Sequence, residues 1–134
     1  MILEGEYALT PKEIQEYLKE VKNLIRNDKY RIALNENRRD NRDLFMEYII
    51  PEERAKEILL GLTYMDFCKK VQNSKPGRED EWLYIFGKEE TFISKYGDGE
   101  EKVQLYIKIN KIEEKFVAVI SFHKQKYKLK YYFK

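Results

Sequence analysis

One cysteine and one histidine are all that 134 residues contain of the two commonest soft-metal and nucleophile side chains. A lone Cys68 excludes an internal disulfide and any cysteine-built zinc site, and a lone His123 cannot anchor a histidine cluster. No metal and no cofactor is expected. Six glycines and three prolines leave no linker or low-complexity tract. Nowhere do roughly 18 apolar residues run together, as a membrane-spanning helix requires. The start, MILEGEYALTPKE, has neither a basic n-region nor a long apolar h-region, so the expected setting is a reducing cytoplasm. P-loop, GxSxG, HExxH and EF-hand spacings are all missing.

What is present suits a globular domain. Apolar residues make up 43%, charged residues 37% and aromatics 14%, enough to close one core, and residues 1–134 are expected to form a single domain. The net charge of +2 hides an asymmetry. From Lys102 onward nine lysines stand against only Glu113 and Glu114, while the preceding part is net acidic. A basic face of this kind suits a polyanion or an acidic partner; a lysine-rich solubilising tail is the alternative.

Thr10-Pro11-Lys12-Glu13 begins a helix, with Thr10 as N-cap, Pro11 at N1 and Glu13 placed for a capping box. Ile14, Leu18, Val21 and Ile25 give that helix one apolar face. A strand is expected at 30–34, a second helix from about Asp40, a third over Glu52 to Leu60, and a short helical segment at 63–67. After the exposed loop 74–78 the period changes to two. Strands are expected at 81–88, 103–110, 116–123 and 127–133, the last an extra C-terminal strand within 124–134; residues 91–96 are a further candidate. Helices followed by a meander define an α+β fold, with the N-terminal helices packed on one face of a C-terminal antiparallel sheet.

Alternate residues of a strand share a face. Phe116, Ala118, Ile120 and Phe122, with Leu105, Ile107, Ile109, Leu83 and Ile85, are expected to face the helices. The opposite parity collects Val117, Val119, Ser121 and His123; Gln104, Tyr106, Lys108 and Asn110; and Trp82, Tyr84, Phe86 and Lys88. Cations beside aromatic rings on an exposed sheet suit single-stranded RNA, the charges meeting phosphates and the rings stacking on bases. The alternative is that Trp82, Tyr84 and Phe86 form a second buried layer and the lysines a solvated rim. Cys68 has no histidine near it in sequence and is expected to be a packed thiol.

The ordered set Glu57-Ile58-Leu59-x-Gly61-Leu62-Thr63-Tyr64-x-Asp66-Phe67, then Phe86-Gly87-Lys88-Glu89, then Tyr106-Ile107-Lys108-Ile109, then Ser121-Phe122-His123 resembles the MqsR-type toxins of the RelE-like mRNA interferases. The resemblance covers most of the chain, from the first helix to about Lys124. It implies a RelE-like sheet with helices on one face and mRNA on the other. It also implies metal-independent endonucleolytic cleavage, in which a 2′-hydroxyl attacks the adjacent phosphate. The protein would then be the toxin of a type II toxin–antitoxin pair, acting on single-stranded mRNA with or without the ribosome and held inactive by a cognate antitoxin.

Such chemistry needs a base, an acid and cations around the phosphorane. By motif position the resemblance assigns His123 as general acid or base, Lys88 and Lys108 with Arg38 or Arg39 as phosphorane-stabilising cations, and Tyr106 as a positioning residue. Lys69, Trp82, Tyr84, Lys124 and Lys126 are the expected RNA contacts. The insert FISKYGDGEEK and the continuation KQKYKLKYYFK depart from the family pattern. A non-catalytic RNA-binding or protein-interaction module on the same scaffold is the competing expectation.

Overall fold

The computed structural model describes residues 8–134. Helix α1 (Pro11–Arg26) begins as its sequence dictates. The Thr10 hydroxyl accepts from the Glu13 N–H at 3.2 Å while the Glu13 carboxylate accepts from the Thr10 N–H at 3.1 Å. Then follow β1 (Tyr30–Ile32), α2 (Arg39–Glu47), β2 (Tyr48–Ile49), α3 (Glu52–Leu60), β3 (Phe67–Gln72), β4 (Trp82–Ser94), β5 (Glu100–Ile112) and β6 (Phe116–Lys124). The fold is α+β, with three helices and one six-stranded mixed sheet.

The strand order is β1-β6-β5-β4-β2, and β3 pairs with the other half of β4's free edge. The β4–β5–β6 meander is antiparallel, but β1 runs parallel to β6. The sheet is therefore mixed, where a purely antiparallel one was expected. The candidate strand at 91–96 is the far end of β4. The helix expected at 63–67 is one 3₁₀ turn, Tyr64–Asp66, leading into β3.

All three helices pack on one face. Ile14, Leu18, Val21 and Ile25 of α1, Leu44 of α2 and Ile58 and Leu59 of α3 meet Phe86, Leu105, Ile107, Ile109, Val117, Val119 and Phe122. Val117 and Val119 were expected on the other side. Their place follows from a β-bulge: Lys108 pairs with Ser121 but Ile109 with Val119, so Ile120 is an extra residue and the parity of β6 flips there. Phe116 and Ala118 consequently leave the helix face. Ser121 and His123, beyond the bulge, stay on the open one.

Strand β4 is inverted relative to expectation. Ile85 is registered with Lys108 and Gly87 with Tyr106, so Leu83 and Ile85 share the open face while Tyr84, Phe86 and Lys88 point to the helices. Parity could not decide this because both faces of β4 are covered. On the open side Ile85 is buried with Cys68 and Leu129, against Val71, Tyr106 and Tyr131. Leu129 and Tyr131 belong to residues 125–134, which form no strand where one was expected at 127–133; these two side chains cover the open face, and Phe133 packs against the helix-side core. A Cβ at Gly87 would sit 2.6 Å from the Tyr131 hydroxyl oxygen and 2.9 Å from a Leu129 methyl, so glycine is what lets the tail lie there. Tyr132 N–H donates to the Phe67 carbonyl at 2.9 Å and fixes its end.

A candidate basic site on the open sheet face

Tyr106 and His123 are paired across β5 and β6, and their rings stack at 5.1 Å with an interplanar angle of 8°. His123 Nδ1 lies 2.8 Å from the Lys124 carbonyl oxygen. A carbonyl can only accept, so Nδ1 carries the proton and Nε2 of the neutral ring keeps its lone pair. Tyr106 is half-buried and its phenol is raised by that burial.

Lys108 stands two residues along β5 on the same face, about 7 Å from the Tyr106–His123 pair by strand geometry. Its ammonium is 6.0 Å from the Tyr106 ring centroid. Burial, with the charges of Arg38 and Lys69 beside it, lowers its pKa. Arg38 closes the 3₁₀ turn that precedes α2; Lys69 lies on β3 opposite Ile85. Three cations from three distant parts of the chain thus converge on one patch. Arg38, and not the exposed Arg39, lines the adjoining groove.

That groove holds about 510 Å³. Lys108 and Arg38 stand at its sides with Lys75 and Arg78 of the 73–81 loop, over a floor that includes Leu83, Asn110, Ala118 and Ile120. The loop residues were not singled out from sequence. Their signal, two cations in Ser74-Lys75-Pro76-Gly77-Arg78, is indistinguishable from that of any solvated turn.

Other expected site residues lie elsewhere. Lys88 is on the helix face, 3.7 Å from Glu90 and near Lys22. It cannot share a phosphate with His123 across the sheet. Tyr84 is stacked on Tyr17 of α1 at 3.6 Å, and Trp82, although exposed, shares that side with Lys70 over its ring at 4.8 Å. Tyr84 is thus part of the covered layer, while Trp82 lies exposed at the edge of that same side. Lys124 points to the helix side, bonded to Glu47 at 3.0 Å with its ammonium 5.0 Å from the Tyr48 ring centroid. Lys126 alone of these lies near His123, but it is engaged by Asp40 at 2.7 Å. Cys68 is buried, and burial pushes its thiol up to about 11, which suits packing and not attack.

Among the described residues no three of His, Cys, Asp or Glu gather as a metal-ligand set, and no helix is long and apolar enough to cross a membrane. Comparison with protein-family models, curated proteins and solved structures finds no match.

Proposed function

We propose that the chain is an endoribonuclease that cleaves single-stranded RNA by internal 2′-hydroxyl attack at the open sheet face. The observation that carries this reading is the convergence of Lys108, Arg38 and Lys69 beside the stacked Tyr106–His123 pair. His123 Nε2 takes the proton of the 2′-hydroxyl as its oxygen attacks phosphorus. The Arg38 guanidinium meets the growing charge on the phosphorane. Lys108, with its lowered pKa, releases a proton to the departing 5′ oxygen. The products are a 2′,3′-cyclic phosphate and a 5′-hydroxyl. Tyr106 holds the imidazole ring from one side.

Lys88, Trp82, Tyr84, Lys124 and Lys126 take no part in this account, and Arg38 replaces the choice between Arg38 and Arg39. The RelE-like relation and the toxin–antitoxin setting rest on the motif resemblance alone. They predict growth arrest when the chain is expressed in a bacterium and relief by a co-expressed neighbouring protein.

The test is incubation of the purified chain with a long RNA, with and without EDTA, followed by analysis of product ends. Cyclic phosphate ends formed in the presence of chelator support the reading. Cleavage that stops with EDTA points to metal chemistry. Salt-sensitive binding without cleavage points to the non-catalytic RNA-binding module.

A further inference from the structure

Beneath the groove beside Lys108, one lining residue carries a buried acceptor that nothing among the described residues satisfies. Asn110 is only 6% exposed, and two residues from Lys108 it lies on the same face of β5. Its Nδ2 donates to Glu81 Oε1 at 2.8 Å, which fixes the amide orientation, because a flipped amide would set oxygen against carboxylate. Oδ1 is then left buried with no donor among the described residues, a costly state for a polar atom.

Glu81 organises the surroundings. The same Oε1 accepts from Asn73 Nδ2 at 3.1 Å, and Oε2 accepts from Arg78 at 2.9 Å. One carboxylate therefore sets a buried neutral acceptor beside a guanidinium, with Lys75 on the same rim. The pairs with Arg78 and Asn110 hold the Glu81 carboxyl below its usual range, so it remains charged and the arrangement persists at neutral pH. Leu83, Ala118 and Ile120 supply an apolar wall of the kind a flat ring packs on.

We propose that this end of the groove is a nucleobase subsite for the imide edge of a keto base, guanine or uracil. Asn110 accepts the ring N–H, and Arg78 and Lys75 donate to the neighbouring carbonyl oxygen. Adenine and cytosine present the reverse order at that edge. Their ring nitrogen would face the Asn110 oxygen and their amino group the cations, so both contacts turn repulsive. Oδ1 is sealed from bulk water, so an entering base displaces a neighbouring side chain to reach it. The phosphate of the same nucleotide falls toward Lys108 and Arg38, and the proposal rests on the RNA reading above.

The experiment titrates the full chain with 3′-GMP, 3′-UMP, 3′-AMP and 3′-CMP by calorimetry, which reads the native chain and its variants alike. The keto nucleotides are expected to bind about tenfold tighter than the amino ones, the scale of one good base-edge contact. Asn110→Leu should bring that ratio below about twofold, and so should Arg78→Ala, a change in an exposed loop that does not threaten folding. Equal binding of all four nucleotides, or a preference intact in both variants, overturns the subsite even where RNA is cleaved. A keto preference in a protein that never cleaves RNA would keep the subsite and remove the nuclease reading.

Discussion

The side-chain amide of Asn41 takes the place of a strand residue beside Phe122. Its Oδ1 accepts from the Phe122 N–H at 2.8 Å, and its Nδ2 donates to the carbonyls of Ile120 at 2.9 Å and Ala33 at 2.8 Å. Strand β1 ends at Ile32, and one buried amide from the first turn of α2 continues its pairing across the bulge. That bulge puts Ser121 and His123 on the face of Lys108.

Asn41→Ala leaves those backbone groups buried and unpaired. Chemical denaturation should show a loss of about 1–3 kcal/mol, and the Tyr106–His123 ring contact should loosen, read as a changed His123 ring chemical shift. Unchanged stability would mean that the bulge is held by something else.

Gly87→Ala acts on the tail. The added methyl collides with Tyr131 and Leu129, and overpacking of this kind costs typically about 1–3 kcal/mol. The expected readout is faster tryptic cleavage at Lys128 and Lys130. An unaltered digestion pattern would mean that the tail is anchored without that close approach.

Lys108 carries a pH signature. A lysine whose folded pKa lies below its unfolded value of about 10.4 binds fewer protons when folded, so stability rises with pH across the window between the two. Removing the ammonium removes the penalty. Lys108→Met should melt above the native chain at neutral pH, with the difference shrinking as pH approaches the unfolded value. A variant less stable at pH 7 would show that the charge is compensated.

Lys69→Ala tests electrostatic binding. RNA affinity should fall across sequences, and the slope of log affinity against log salt should drop by about 0.7, the contribution of one neutralised phosphate on a single strand. An unaltered slope would place Lys69 off the RNA path.

Helix α1 was legible because its cap, its stripe and its first proline all agree at neighbouring positions. The three long strands were legible from their period. Their faces were only partly so, because parity carries across a strand until an extra residue interrupts it. Nothing in Val117-Ala118-Val119-Ile120 marks Ile120 as that residue; the reason lies 79 positions earlier, at Asn41. For β4, Leu83 and Ile85 are as apolar as Tyr84 and Phe86, and the tail that covers Ile85 comes from the end of the chain. Strand β3 was hidden because Phe67-Cys68-Lys69-Lys70 has a bulge of its own and no clean alternation. The site suffered accordingly: Tyr106, Lys108, His123 and Lys69 share the open face, whereas parity set Lys88 on a face it does not occupy.

The most direct measurement compares Lys108→Ala with Lys88→Ala in single-turnover cleavage of a short RNA in the presence of EDTA. Two lysines of the same chain, one on each side of the same sheet, are set against each other. The account predicts a loss of roughly 100-fold or more for Lys108→Ala, as for a removed acid catalyst, and native rates for Lys88→Ala. Loss at Lys88 with full activity at Lys108, or no cleavage by the native chain, would contradict it.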